Sequence, residues 1–383
     1  MKIAIDGSVL WGHYSGVEKT ADRVIRRLLA DPRGHQIRIF VPGDWPGFEE
    51  DGGRRTDDSN PAPRAPRPAP HAPRPASRAC FLPFSGARRM RRIFWQQVEL
   101  PWILRRWRAD VLFCPAYVMP LLSPCPAVTF VHDLHGLNLR QTRLENYLHY
   151  RLLLPPTIRR ARALITPTRA VQLEVERRFG RRAFVAPLGV DPWFTPRDAQ
   201  SNEPGVVPYI LYVGNLEERK GLRLLIESCG NLFARQPNLT LILAGKDRGL
   251  RPQLVEIAAR LGIAERVRFL GYVETERLVD LYREAALLAQ PSTAEGFGIP
   301  PLEAMACGTP VVGVNGAALR ENLQDAAVLA EGSPEPFARA LEQVLTDPSL
   351  RDRLNAAGLE RARRFIWERT TAVVWQAVED AGA

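Results

Sequence analysis

The sequence has no apolar run approaching the roughly 18 residues that a membrane-crossing helix needs. Its opening, MKIAIDGSVL, turns polar after five residues, so neither a secretory leader nor an anchor is expected and the chain reads as a cytoplasmic protein. Cysteine is scarce: Cys80, Cys114, Cys125, Cys229 and Cys307 form an odd set with no CxxC pair and no histidine at zinc spacing. That argues against a disulfide framework or a structural zinc site and leaves reduced, mostly buried thiols. Neither GxGxxG nor a Walker A pattern occurs, which weakens the dehydrogenase and nucleotide-triphosphatase readings. No acidic DxD cluster is available to hold a divalent metal.

What is present is 383 residues with 45% apolar and 25% charged side chains, enough for two soluble domains of ordinary size. The net charge of +10 is uneven: residues 1 to 200 hold 32 lysines and arginines against 18 acidic residues, and the remainder holds 20 against 24. A basic half beside a mildly acidic one points to an anionic partner, a membrane surface or a nucleic acid.

Apolar runs bounded by turn residues recur along the chain. KIAID, HQIRIFVPG, RADVLFCPA, PAVTFVHD, ARALITPT and RRAFVAPLGVD read as strands with helical patterns between them, beginning with KTADRVIRRLLA. The alternation restarts at YILYVGNLEERKG and continues through LTLILAG, RVRFLGYV, LLAQPS, TPVVGV and AAVLAEG. This is an α/β pattern with parallel sheets. It predicts two Rossmann-like domains, residues 1–200 and 205–365, facing each other across a cleft, followed by an amphipathic terminal helix at 366–383 whose packing the sequence does not place. Residues 51–79 are rich in Pro, Ala and Arg with almost no large apolar side chain, and are expected as a disordered surface insertion.

The chemistry-bearing residues gather near predicted strand ends. AEGFGIPPLEAMACGTPVV places Glu295 in a loop and Glu303 in the expected first turn of a helix that begins at a double proline. The backbone N–H groups of Phe297, Gly298 and Ile299 there could meet an anion. Two carboxylates suggest an acid and a base, although Glu303 could also serve only as a capping glutamate. VGNLEERKG sets Arg219 and Lys220 just past a strand end, where open α/β sheets bind ligands and adjacent cations could hold a diphosphate. SGVEKT offers Gly16 at a helix start as a second phosphate position. FVHDLHG supplies His132 and Asp133 after an apolar strand, suited to a substrate hydroxyl or to a structural role.

VGNLEERKG, RVRFLGYV, AEGFGIPPLEAMACGTPVV and VAPLGVD, in this order and at these separations, resemble the family 4 retaining glycosyltransferases of the GT-B fold. The likeness covers nearly all of the chain outside the Pro- and Arg-rich stretch and is tightest in the second half. It implies that Glu303 binds the ribose hydroxyls of a sugar nucleotide and that Glu295 lies at the donor sugar. It implies also that Phe297 to Ile299 approach sugar hydroxyls and phosphate, and that Arg219 and Lys220 neutralise the diphosphate as it leaves. Gly16 then matches a loop closing on that diphosphate, and His132 a histidine near the transferred sugar. One departure is Asn215, where many relatives carry arginine, which shifts the phosphate clamp onto Arg219 and Lys220.

The resemblance implies metal-independent transfer with retention and no cofactor, from GDP-mannose or a UDP-sugar to a glycan or lipid-linked acceptor in envelope or extracellular polysaccharide synthesis. ARRMRRIFWQQVELPWILRRWRAD, residues 87–110, sets arginine clusters beside Trp95, Trp102 and Trp107, and is expected either to pack with a solvated basic face or to rest on an anionic membrane at its inner side. The alternative reading is a catalytically silent scaffold that keeps the fold and uses its basic half. No nucleic-acid motif is present, so nucleic acid is not an expected partner.

Overall fold

The computed structural model describes residues 1–10, 15–45, 79–84, 89–138, 144–197 and 208–383. Two parallel sheets form from the apolar runs. The first contains β1 (Lys2–Asp6), β2 (Gln36–Val41), β3 (Ala79–Phe81), β4 (Val111–Cys114), β5 (Ala127–Phe130), β6 (Ala163–Thr166) and β7 (Phe184–Val185), in the order β3-β2-β1-β4-β5-β6-β7. The second contains β8 (Tyr209–Val213), β9 (Thr240–Ala244), β10 (Val267–Gly271), β11 (Leu287–Gln290), β12 (Val311–Val314) and β13 (Val328–Ala330), in the order β10-β9-β8-β11-β12-β13. Strands such as TLILA and LLAQ are almost wholly buried, which is why they read as continuous apolar runs rather than alternating ones.

Helices follow most strands: α1 (Gly16–Ala30), α2 (Arg89–Phe94), α3 (Leu100–Trp107), α4 (Leu144–Arg160), α5 (Arg169–Phe179), α6 (Leu222–Phe233), α7 (Arg251–Arg260), α8 (Thr275–Glu284), α9 (Ile299–Ala306), α10 (Ala317–Leu323), α11 (Pro334–Thr346), α12 (Pro348–Ala362) and α13 (Trp367–Gly382). A π-helical turn, Trp95–Glu99, joins α2 to α3. α1 starts ahead of the expected KTADRV because Ser15 caps it, its side chain accepting from the Glu18 N–H at 3.2 Å. Val24, Ile25, Leu28 and Leu29 then recur on its buried face.

By contacts the chain forms two compact units: Met1–Phe130 with Pro156–Leu164 and Val374–Ala383, and Val131–Pro155 with Ile165–Val373. In the first, Ile3, Ile5, Ile25, Leu28, Ile39 and Phe113 are buried. In the second, residues of β8, β9, β11 and β12 join Leu225, Ile226, Leu254, Phe337 and Leu341 in one core cluster. The terminal helix α13 has its anchors at both ends of its length. Trp367 donates from its indole nitrogen to Asp191 Oδ1 at 2.8 Å, and Glu379 Oε1 lies 3.3 Å from His35 Nε2.

Two expectations change. The Pro- and Arg-rich stretch at 51–79 lies outside the described residues up to Ala79, which begins β3. That strand, ACF, is too short to register as an apolar run, and its pairing with β2 through Ile39 to Ala79 defines it. Glu303 falls in the second turn of α9, not the first, because both prolines are already helical and the helix begins at Ile299.

Candidate functional site

Strand order reverses in the second sheet between β8 and β11, which pair in parallel. Open α/β sheets bind ligands at the carboxyl ends of strands on either side of such a reversal. The loops leaving β8 and β11 carry the residues singled out above.

After β8 the chain makes a short 3-10 turn, Glu218–Lys220, and enters α6 through Gly221 at φ +70°. A Cβ at position 221 would stand 2.3 Å from the Pro291 carbonyl oxygen, so only glycine lets the two loops close together. That closure brings Lys220 Nζ to 2.7 Å from Glu295 Oε1. The same carboxylate oxygen accepts from Gln290 Nε2, at the end of β11, at 2.9 Å. Ser292 Oγ donates to the Arg219 carbonyl at 3.3 Å, and the Arg219 guanidinium pairs with Glu217 at 2.7 Å. Burial alone pushes the Glu295 carboxyl up, but Lys220 and then Arg219 outweigh it and hold the group below the ordinary carboxylate range. Glu295 therefore stays ionised at neutral pH.

Past Glu295 the loop runs close to the segment that follows β5. A Cβ at Gly296 would lie 2.1 Å from the His132 carbonyl oxygen, and Thr168 Oγ1 donates to the Gly296 carbonyl at 3.1 Å. His132 and Glu295 are thus brought to one place by backbone packing, with the His132 side chain buried. The Phe297 ring packs edge-on against Phe365 at 5.7 Å, and its carbonyl accepts from Asn322 Nδ2 at 2.7 Å. Gly298 adopts φ +88°, the left-handed turn from which Ile299 starts α9.

Glu303 faces the interior. It is 4% exposed and accepts a hydrogen bond from Tyr282 Oη at 2.9 Å. Burial pushes the Tyr282 phenol far up, and the charge of Glu303 adds to that, so the hydroxyl remains a donor. Glu295 instead lines a cavity of about 300 Å3, together with Leu134 and His135 after β5, Thr293, Ala294 and the start of α10 at Ala317 and Ala318. The two glutamates therefore occupy different surroundings. Gly16 belongs to the first unit, where it opens α1 and its carbonyl accepts from Thr20 Oγ1 at 2.8 Å. Among the described residues no group of three His, Cys, Asp or Glu side chains is placed to hold a metal ion.

Comparison with known proteins divides the chain near residue 195. Residues 195–361 match the model described as "Glycosyl transferases group 1", and residues 14–194 the model described as "Glycosyltransferase Family 4". An "O-antigen chain mannosyltransferase B" of Escherichia coli is 31% identical over 287 residues, covering 70% of this chain and 74% of that protein. The chain belongs to the group 1 glycosyltransferases.

The "D-inositol 3-phosphate glycosyltransferase" of Geodermatophilus obscurus is 39% identical to this group 1 glycosyltransferase over 207 residues, 50% of this chain. The match spans 45% of that relative, so the chain covers about half the length of the curated relatives of this kind. Anabaena HepE, solved in complex with UDP-glucose, has the same fold with a TM-score of 0.72 at 17% identity, covering 99% of this chain and 100% of that one.

The group 1 glycosyltransferase also contains residues that reading the sequence missed. Gln290 and Tyr282 each hold a carboxylate, Asn322 fixes the Phe297 carbonyl, and His135 lines the cavity with its Nε2 buried and without a hydrogen-bond partner. His135 alone left a signal, since it stands three residues after His132 in FVHDLHG; the others are ordinary strand and helix residues until the fold assembles them.

Proposed function

We propose that the protein is a retaining glycosyltransferase that moves a hexose, mannose first, from a nucleotide-diphosphate sugar to a glycan or lipid-linked acceptor in envelope or extracellular polysaccharide synthesis. It would act on the cytoplasmic side and need no bound metal. The observation that carries this reading is the Lys220, Gln290 and Glu295 cluster at the reversal point of the second sheet. The mannosyltransferase relative supports the choice of sugar, and the UDP-glucose held by HepE supports a sugar nucleotide as donor.

In this reading Glu303 accepts the ribose hydroxyls, with Tyr282 fixing the carboxylate oxygen that it does not offer. Glu295 accepts a hydroxyl of the hexose beside the cavity, near His132. The Lys220 ammonium carries three donors. One holds Glu295, and the others are suited to a phosphate oxygen, with Arg219 and the N–H groups of Phe297, Gly298 and Ile299 completing the cradle.

The acceptor hydroxyl attacks the anomeric carbon from the face that the diphosphate leaves. Its oxygen bonds to that carbon, the carbon–oxygen bond to the diphosphate breaks, and the leaving group keeps the electron pair and takes the acceptor's proton. Negative charge grows on the leaving diphosphate, so fixed cations there lower the barrier.

A thermal-shift series with GDP-mannose, GDP, UDP-glucose and UDP tests the donor, because a ligand bound only by the folded state raises its melting temperature. The largest shift is expected from GDP-mannose, together with release of GDP in the presence of acceptor extract. A larger shift with UDP-glucose would reassign the donor, and the absence of nucleotide release with every donor would favour the silent scaffold.

A further inference from the structure

Sugar transfer does not account for the segment that contains α2, the π turn and α3. Its inner face is fixed firmly to the first unit. Trp95, Leu100 and Leu104 are buried, Gln96 Nε2 donates to Asp6 Oδ2 at 2.6 Å and to the Val118 carbonyl at 3.0 Å, and Gln97 bonds the Met119 carbonyl at 3.1 Å and the Leu121 N–H at 3.0 Å.

The outer face is apolar where a solvated helix would be polar. Met90 is 76% exposed, Phe94 52%, Val98 54% and Trp102 63%, a stripe at every fourth residue. Leu122, next to the Leu121 that Gln97 holds, is also exposed.

Positions four apart on an ideal α-helix drift by about 40°, so the stripe would wind by about 120° from Met90 to Trp102. The π turn, closed by i→i+5 bonds, advances less per residue and takes back a large part of that drift. The turn therefore keeps the four side chains on one side, and the bonds of Gln96 and Gln97 hold it in place.

Charge flanks the stripe. Arg105 and Arg106 are exposed at the end of α3, the Arg106 guanidinium lies 5.6 Å from the Trp102 ring, and Arg160 reaches the Leu121 carbonyl at 3.3 Å beside Leu122. Glu99, the acidic residue of the segment, is paired with Arg91. An apolar ridge with a tryptophan and an arginine fringe supplies both signals that hold a protein at an anionic interface, inserted side chains and charge attraction.

We infer that the ridge of Met90, Phe94, Val98 and Trp102 docks the protein on an anionic lipid bilayer, with Arg105, Arg106 and Arg160 at the headgroups. This goes beyond sugar transfer, because it needs neither donor nor acceptor.

The test is co-sedimentation of the full chain with vesicles of phosphatidylglycerol and phosphatidylcholine in equal parts, and with phosphatidylcholine alone. The protein is expected to pellet with the anionic vesicles at low salt, to be released as salt screens the arginines, and to show a blue shift in tryptophan emission. Joint Phe94→Asp and Trp102→Asp substitution is expected to lower partitioning at least tenfold. Arg105→Glu with Arg106→Glu is expected to lower it about fivefold or more for each residue.

The nucleotide-induced thermal shift should be unchanged in both variants, which reports folding and separates this inference from the donor site. Absence of pelleting at low salt, equal partitioning of variants and parent, or a dimer lost in the Phe94 and Trp102 variant without any lipid binding would each overturn it.

Discussion

Replacing Lys220 by methionine isolates the electrostatics of the candidate site. The Lys220 and Glu295 side chains are 15% and 10% exposed, so their 2.7 Å contact sits between a surface ion pair and a fully buried one. Removing one partner of a buried pair costs roughly 3 to 5 kcal/mol, and the residual exposure together with the Gln290 hydrogen bond places this case at about 3 kcal/mol. For a unit of this size that corresponds to a melting temperature lower by roughly 6 to 12 °C.

The loss has a defined pH dependence. In the parent protein the Glu295 carboxyl is held below its unfolded value, so its contribution is present above that value and fades as pH falls through the folded one. Without Lys220 the burial that pushes the carboxyl up is less opposed, and protonation relieves the unpaired charge. The destabilisation of Lys220→Met, measured by urea unfolding, should therefore be largest at pH 7 and shrink as the pH falls toward the range where carboxylates protonate. The double variant Lys220→Met, Glu295→Gln should recover most of the stability at pH 7 while sugar transfer stays lost. A pH-independent loss, or a double variant no more stable than the single one, would refute the account.

Three further outcomes follow from the geometry. Glu303→Ala should weaken nucleotide binding by roughly ten- to a hundredfold, the range for a hydrogen bond to a charged group, as read by calorimetric titration. Tyr282→Phe removes the hydroxyl that holds Glu303 and should lower stability by about 1 to 3 kcal/mol in urea unfolding, with a smaller loss of nucleotide affinity than Glu303→Ala. Gly221→Ala meets both a left-handed backbone and the Pro291 carbonyl, and should cost about 2 kcal/mol or more while lowering turnover, because it moves Lys220 away from Glu295.

Much of the fold is visible in the sequence for one physical reason. Parallel strands covered on both faces, such as YILYV and LLAQ, need unbroken apolar stretches, and those stand out between charged helices. Lys220 and Glu295 are visible in the same way, because strand ends locate them.

The remainder depends on contacts distant in the chain. Nothing near Gln290 marks it as the partner of a carboxylate five residues later, and Tyr282 looks like any helix residue until α8 packs on α9. The π turn is set by Gln96 and Gln97 bonding to residues about 22 and 24 positions on or, at Asp6, 90 positions back, which no local pattern encodes. Glu303 falls one position further into α9 than the double proline suggests, because the helix begins at Ile299.

The cavity beside Glu295 is bounded in part by Thr293, Ala294, Ala317 and Ala318, whose side chains are small and uncharged. Its size is thus separable from the charge cluster. A single methyl-to-isobutyl exchange at Ala317 or Ala318 would narrow the space without touching Lys220, Gln290 or Glu303. On the proposed reading of the cavity as the hexose site, a directed library at these positions would retune which sugar is admitted while leaving the leaving-group chemistry alone. The glycines at 221 and 296 offer no such freedom, since backbone carbonyls already occupy the room a side chain would take.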